Sequence, residues 1–261
     1  MLLKTSYKIF MLFRETGDFN LPTIILLHGG GLSDWSWDKV VGILKSKYHI
    51  VMPVIDGHGD DGDTEFTSIE ESAKKVIWYI DEKLGGKVFA IGGLSIGAQI
   101  TAEVLSIRND ITEFAILESA LVCPIKGTTM LAVPTYKLLY GLIKQRWFSR
   151  MQAKSLCVPE YDFEHYYQDS LRMSQQTLIN ITLSNGNYGL KDSITNTSAK
   201  VLIIVGSKEI RIMKKSAELL HSKIKRNQLY IAQGMKHGEL SLIYTEKYIE
   251  QLKALFAKRA Y

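Results

Sequence analysis

The chain of 261 residues contains only two cysteines, Cys123 and Cys157. Two cysteines so placed form neither a metal-binding spacing nor a disulfide framework, and they suit a reducing compartment. The sequence also lacks a run of about 18 apolar residues, which argues against a membrane-spanning helix. Its first residues lack the apolar core and cleavage site of a signal peptide. We therefore expect a soluble, cytoplasmic protein without a membrane span.

No charge of one sign dominates, since the chain has 32 Lys and Arg and 27 Asp and Glu, which gives a net charge of +5. The basic residues are scattered among apolar helix positions, and no nucleic-acid-binding motif accompanies them. We interpret them as solvated helix faces and expect no nucleic-acid partner. Hydrophobic residues make up 46% and charged residues 23%, the balance of an ordinary globular protein. The length allows one large α/β domain or a domain with an insertion.

Short apolar runs alternate with amphipathic segments through the first 120 residues. Runs typical of buried strands occupy residues 7–14, 23–27, 49–55, 88–93 and 113–117. Helical patterns occupy residues 37–47, 65–84 and 99–108. This alternation predicts an α/β fold, with a mostly parallel sheet, right-handed crossovers and flanking helices.

The alternation breaks between residues 121 and 196. This stretch has no strand-like run, is too long for a loop, and carries helical patterns at residues 128–145, 146–156 and 163–184. Strand and helix patterns resume at residues 200–206, 212–223, 228–232 and 240–258. We therefore predict a core of residues 1–120 and 197–261, with residues 121–196 inserted as a helical cap.

Residues 93–97 read Gly-Leu-Ser-Ile-Gly and connect a predicted strand to a predicted helix. In such a G-x-S-x-G turn the glycines permit a strained, closely packed backbone that lifts the serine hydroxyl into the open. The helix start adds free N–H groups and the positive end of a dipole. Ser95 is therefore a candidate nucleophile, although Gly and Ser are also common in ordinary turns.

Two other glycine motifs accompany this turn. Residues 28–31 read His-Gly-Gly-Gly after an early strand, and residues 234–238 read Gly-Met-Lys-His-Gly after the last one. Together with residues 93–97 they resemble the α/β-hydrolase family, and the resemblance covers nearly the whole chain. It implies the α/β-hydrolase fold, a cap after the sixth core strand, and the order nucleophile, acid, histidine along the chain.

The resemblance implies that His237 is the base, because a serine hydroxyl is a weak nucleophile and an imidazole can take its proton. We interpret His28 as a structural histidine that steadies the glycine loop. The family generally has an Asp after its seventh strand to orient the imidazole. Here no Asp occurs after Asp192, and Glu209 occupies that position. Glu118, at the end of the sixth strand in the family's count, is the alternative acid.

The resemblance also assigns the two backbone N–H donors of an oxyanion hole to Gly30 and Ile96, with Gly31 as the alternative to Gly30. A cap must line a pocket over the nucleophile with some of its aromatic residues, and we expect an apolar acyl or alcohol group there. The predicted substrate-binding residues are Trp35, Leu94, Tyr136 and Tyr140.

These features imply a serine hydrolase, in particular a carboxylesterase, that cleaves small, largely apolar esters through an acyl-enzyme. The expected partner is the small-molecule ester, and neither a cofactor nor a metal is expected. Two alternatives stay open. One is a C–C bond hydrolase or lyase that uses the same triad, and the other is a non-catalytic ligand-binding protein. The sequence leaves the oligomeric state open.

Overall fold

Seven strands form one sheet in the computed structural model, which describes residues 11–257. The strands are β1 (Leu12–Thr16), β2 (Thr23–Leu27), β3 (His49–Val54), β4 (Val88–Leu94), β5 (Thr112–Glu118), β6 (Lys200–Gly206) and β7 (Asn227–Ala232). Their order across the sheet is β1-β3-β2-β4-β5-β6-β7. Only β1, at one edge, runs antiparallel to its neighbour, and the other adjacent strands are parallel. The predicted mostly parallel α/β sheet is confirmed.

Helices connect these strands. They are α1 (Asp38–Leu44), α2 (Ile69–Lys83), α3 (Ile96–Ile107), α4 (Thr128–Ile143), α5 (Arg146–Ser155), α6 (Phe163–Arg172), α7 (Gln175–Asn187), α8 (Arg211–Lys223), α9 (Glu239–Leu242) and α10 (Thr245–Phe256). Within the described residues, no helix combines the length and the apolarity needed to cross a bilayer. The part of the first predicted strand before residue 11 lies outside the described residues.

Both faces of the sheet are covered, as the side chains of β2 illustrate. Ile25 and Leu27 belong to one apolar cluster with residues of α2 and α3, whereas Ile24 and Leu26 belong to a second with residues of α1 and α10. All four side chains are fully buried. Each contributes about 1.5–3 kcal/mol by leaving water. Burial on both faces explains why the strand reads as a continuous apolar run.

Four helices, α4 to α7, lie between β5 and β6. The sequence predicted one helix over residues 163–184, but the chain leaves helical geometry at Met173. The side chain of Ser174 then caps α7 by accepting the N–H of Thr177 at 3.0 Å. The strand before this insertion is the fifth described strand, although the family's count makes it the sixth.

The last predicted helix, over residues 240–258, is also divided. Helix α9 ends at Leu242, and α10 begins at Thr245 after Tyr244, whose backbone is not helical (φ −100°, ψ 48°). Residue 258 lies outside the described residues. This break turns α10 back over the sheet, where Tyr248 and Leu252 are fully buried.

Candidate active site

Ser95 lies in the turn between β4 and α3, at the carboxyl edge of the sheet. Its φ of 56° and ψ of −116° are unusual for a residue other than glycine. Its N–H donates to the carbonyl of Glu118 at 2.9 Å, and its carbonyl accepts from the N–H of Gln99 at 3.0 Å. These bonds hold the serine in a strained conformation of the kind that clusters at functional sites.

The glycines on either side of Ser95 allow this turn to pack closely. A methyl group on Gly97 would overlap the carbonyl oxygen of Leu27 and lie 2.6 Å from that of His28. A methyl group on Gly93 would overlap the backbone of Gly97. The turn therefore presses against the end of β2, which brings the glycine loop of residues 28–31 beside the serine.

His237 and Glu209 form a hydrogen-bonded pair. Nδ1 of His237 lies 2.8 Å from Oε2 of Glu209, whose side chain is buried. The other oxygen, Oε1, accepts the N–H of Gly206 at 2.7 Å and the hydroxyl of Ser119 at 2.8 Å. Burial alone would raise the pKa of Glu209, but the hydrogen bond and charge of His237, with these other donors, hold it below its usual value. Glu209 is therefore an ionised partner for the imidazole.

The loops that carry this pair are packed together. A methyl group on Gly206, at the end of β6, would overlap the carbonyl oxygen of Met235 in the loop of His237. After the histidine, Gly238 takes a left-handed conformation (φ 68°), and its N–H reaches Ser119 Oγ at 3.4 Å. The positions of the imidazole and the carboxylate are thus set by backbone contacts between neighbouring strands.

Glu118, the alternative acid, forms no hydrogen bond or ion pair with the imidazole in the described part of the chain. Its Oε1 accepts the N–H of Ser241 at 3.2 Å, and its Oε2 has no partner among the described residues. Burial raises the pKa of Glu118 to about 7. This carboxyl group is packed beneath the site, whereas Glu209 faces the histidine.

Gly30 and Ile96, the residues predicted to supply oxyanion donors, lie next to each other. A methyl group on Gly30 would lie 3.7 Å from Cγ2 of Ile96. The N–H of Ile96 belongs to the first turn of α3, where helical N–H groups lack an intrahelical acceptor. Neither N–H has an acceptor in the part of the chain that the structure describes. Gly31, with φ of 77°, also lines the adjoining cavity.

His28 is buried at the base of the glycine loop. Its Nε2 accepts the N–H of Ile55 at 3.0 Å, so Nδ1 carries the proton and donates to the carbonyl of Gly29 at 2.9 Å. Burial and the neighbouring His58 lower the pKa of His28 to about 3. The neutral ring links the glycine loop to β3, which agrees with a structural role.

Two cavities meet at Ser95. The first, of about 320 Å³, lies beneath helices α4 to α7. It is lined by Gly30, Gly31, Ser95, Tyr136, Ile143, Gln152, Ser155, Leu156, Tyr166, Ser170, Met173, Leu178, Ile181 and Asn185. The second, of about 390 Å³, is lined by Ser95, Leu121, Asn185, Lys208, Glu209, Ile210, Met213, Lys236 and His237. Ser95 and Asn185 belong to both, so the two cavities adjoin at the serine.

Of the four predicted substrate-binding residues, Tyr136 lines the first cavity. The other three predictions are corrected, because Trp35, Leu94 and Tyr140 line neither cavity. The indole of Trp35 donates to Asp169 Oδ2 at 2.7 Å.

Leu94 and Tyr140 are occupied elsewhere. The Leu94 side chain is only 2% exposed and packs against Gly29 and Gly238. The hydroxyl of Tyr140 donates to the carbonyl of Met173 at 3.0 Å, which joins α4 to the end of α6. Leu94 thus packs between the glycine loop and the histidine loop, and Tyr140 holds Met173, which lines the first cavity.

Asn185, Lys208 and Lys236 are site residues that the sequence did not single out. The two lysines directly precede Glu209 and His237, so their place in the sequence was an available signal. Asn185 is brought in by α7, and no spacing in the sequence indicated it. Among the described residues, no group of three or more His, Cys, Asp or Glu side chains could hold a metal ion.

Comparison with known proteins agrees with this architecture. A protein of Gibberella zeae, described as an AB hydrolase superfamily protein, is 29% identical over 85 residues. The match spans 32% of this chain and only 30% of that relative's length. A structure from a study of carboxylesterases of Nitrososphaera gargenis has a TM-score of 0.77 at 16% identity, over 96% of each chain. Bromoperoxidase from Bacillus anthracis has a TM-score of 0.79 at 15% identity, over 95% of each chain.

At such identities the two structures establish a shared fold. The model of the Alpha/beta hydrolase family matches residues 24–191, which is more than half of the chain. On this match, together with the sheet order and the turn at Ser95, the chain belongs to the alpha/beta hydrolase family.

Proposed function

We propose that this protein is a serine hydrolase that cleaves small carboxylic esters through an acyl-enzyme. Ser95 is the nucleophile, His237 the base and Glu209 the acid. The observation that carries the proposal is that Ser95 and His237 line one cavity while Nδ1 of His237 is engaged by a buried carboxylate. That bond leaves Nε2 as the ring nitrogen that can serve the serine hydroxyl.

In the acylation step, Ser95 Oγ attacks the ester carbonyl carbon while its proton moves to Nε2 of His237. The carbonyl π electrons move to oxygen and form a tetrahedral oxyanion. When the intermediate collapses, the bond to the alcohol oxygen breaks, and the proton on Nε2 goes to the departing alcohol. Glu209 stabilises the imidazolium that exists between these two transfers.

In the deacylation step, a water molecule attacks the acyl carbon and gives its proton to Nε2 of His237. Collapse of this second oxyanion breaks the bond to Ser95 Oγ, which takes the proton back. The carboxylic acid leaves, and the enzyme returns to its starting state. The N–H groups of Gly30 and Ile96 stabilise both oxyanions, and each such donor contributes roughly 2.7–4 kcal/mol to lowering the barrier.

The lining of the cavities supports a preference for small esters with an apolar acyl group. Ile143, Leu156, Leu178 and Ile181 offer apolar surface in the first cavity. We also propose that residues 121–196 act as a cap on a core of residues 1–120 and 197–261. Helices from the inserted segment supply most of the first cavity's lining.

Hydrolysis of p-nitrophenyl butyrate by wild type and by Ser95→Ala tests this function. We expect the wild type to turn over the ester and Ser95→Ala to lose a factor of about 10⁴ or more in kcat, because the attacking oxygen is gone. Ser222→Ala is the matched control, because Ser222 is exposed at the far end of α8, and among the described residues its hydroxyl bonds only to the carbonyl of Leu219. Equal rates for wild type and Ser95→Ala would refute the proposal.

A further inference from the structure

The two cavities that meet at Ser95 differ in charge. In the described chain, the cavity beneath the inserted helices is lined by uncharged side chains. The second cavity includes two lysines, Lys208 and Lys236, and one acidic residue, Glu209. The carboxylate of Glu209 is turned inward to His237, Gly206 and Ser119. The second cavity therefore presents a net positive charge.

Both lysines have ammonium groups available to a ligand. Their residues are exposed, and neither Nζ forms an ion pair or hydrogen bond with the described residues. Glu239 is the acidic residue nearest to Lys236 along the chain, and its Oε2 accepts the backbone N–H of Lys236 at 2.7 Å. Two unpaired lysines beside the candidate base attract an anion more readily than a neutral group.

The chemistry of the proposed reaction decides which half of an ester each cavity receives. The departing alcohol takes its proton from His237, so the alcohol half must lie on the histidine side. That side is the cavity of Lys208 and Lys236. The acyl half then extends past Ser95 into the uncharged cavity beneath the inserted helices.

We propose that the preferred substrate is an ester with an uncharged acyl half and an anionic alcohol half, whose charge is attracted by Lys208 and Lys236. This inference rests on the proposed hydrolase function and names its substrate class. Ile210 and Met213 line the same cavity. The alcohol half therefore also carries an apolar portion that contacts these side chains.

Two butyrate esters test the inference, one of 4-hydroxybenzoate and one of 4-hydroxybenzamide, which is similar in shape but neutral. The measured quantity is the ratio of kcat/KM for the anionic ester to kcat/KM for the neutral ester. In Lys208→Gln/Lys236→Gln this ratio should fall roughly 3- to 10-fold below the wild-type ratio, as expected for two exposed charge interactions. The chemical reactivities of the two esters cancel, because each enzyme is measured with both.

The matched control is Lys83→Gln/Lys87→Gln, which removes the same charge at the amino end of β4, on the opposite edge of the sheet from Ser95. Both control lysines are exposed. Their removal should leave the ratio at the wild-type value. In 1 M NaCl the Debye length is about 3 Å, so the wild-type ratio should fall toward that of Lys208→Gln/Lys236→Gln.

The inference is overturned if the ratio is unchanged in Lys208→Gln/Lys236→Gln, or if the control pair lowers it equally. Unfolding midpoints of both double variants should match the wild type, so a changed ratio reports binding. Failure of the proposed function would give a different experimental result. In that case Ser95→Ala would retain the rate on p-nitrophenyl butyrate, whereas failure of the charge inference leaves a Ser95-dependent esterase that does not distinguish the two esters.

Discussion

Two buried glutamates near His237 differ because their partners differ. Glu209 has three hydrogen-bond donors, and their combined effect keeps its pKa low despite burial. Glu118 has the N–H of Ser241, and burial raises its pKa to about 7. Only the first environment stabilises a negative charge next to an imidazole. The sequence indicated both residues as candidate acids, but a choice between them requires the distances from each carboxylate to its hydrogen-bond partners.

Replacing each glutamate by its amide should separate their roles. Glu209→Gln keeps the shape but removes the charge that stabilises the imidazolium, so kcat should fall by roughly 10²- to 10⁴-fold with little change in KM. Glu118→Gln should keep kcat within a few-fold of wild type. Steady-state kinetics on p-nitrophenyl butyrate measures both. A large loss in Glu118→Gln with full activity in Glu209→Gln would reverse the assignment.

The Glu118→Gln variant should also change how the free energy of unfolding depends on pH. Because the folded protein raises the pKa of Glu118 from 4.5 to about 7, it binds more protons than the unfolded chain between these values. The wild type therefore loses stability from this group as the pH rises through that window. Relative to wild type, Glu118→Gln should gain up to ~3 kcal/mol between pH 4.5 and pH 8 in urea unfolding. A constant difference across pH would contradict this account.

At the scale of elements, the site depends on how closely strand ends and loops approach each other. Gly97 packs α3 on the end of β2, and Gly206 packs β6 on the loop of His237. In both places a carbonyl oxygen occupies the space of a side chain. These glycines therefore set the relative positions of the Ser95 turn, the glycine loop of residues 28–31 and the loop of His237.

Gly97→Ala should destabilise the protein by roughly 1–3 kcal/mol, because the new methyl group would overlap the backbone of β2. Gly42→Ala is the control, since Gly42 is exposed on helix α1, with nothing within 4 Å of an added methyl group. It should stabilise the protein by roughly 0.5–1 kcal/mol. Urea unfolding measures both changes. Similar free energies of unfolding for the two variants would show that the close approach at Gly97 is not required.

The sequence predicted elements well where local pattern and tertiary packing agree. The strand at Thr23–Leu27 has its predicted bounds because both faces are buried. The predicted helix over residues 163–184 was wrong as a single element. Its apolar pattern continues across Met173, whereas the break is made by the backbone there and by the cap at Ser174. Amphipathic periodicity does not report such a change of direction.

At the scale of the whole molecule, helices α4 to α7 are tied to α3, the helix that follows Ser95. Gln99, fully buried on α3, donates its Nε2 to the carbonyl of Leu121 at 2.5 Å and to that of Asn185 at 3.1 Å. This side chain joins the start of the insertion and α7 to the first turn of α3. The walls of both cavities are thereby held in a defined relation to Ser95.

The residues that line the site could be predicted only in part, because the lining depends on how the inserted helices pack. The motifs identified Ser95, Glu209 and His237 as candidates, since each lies at the end of a strand. Trp35 and Tyr140 carry aromatic rings suited to a pocket, but neither lines a cavity, and their polar atoms are hydrogen-bonded to Asp169 and to the carbonyl of Met173. The direction in which each ring points depends on tertiary contacts, and no spacing in the sequence indicates those contacts.

The most direct test of the central claim is covalent labelling with a fluorophosphonate, followed by intact-mass and peptide mass spectrometry. We expect one adduct per chain, on Ser95, with no adduct in Ser95→Ala and much slower labelling in His237→Ala, because the serine hydroxyl loses its proposed base. An adduct on another residue, or labelling of Ser95→Ala at the wild-type rate, would contradict it.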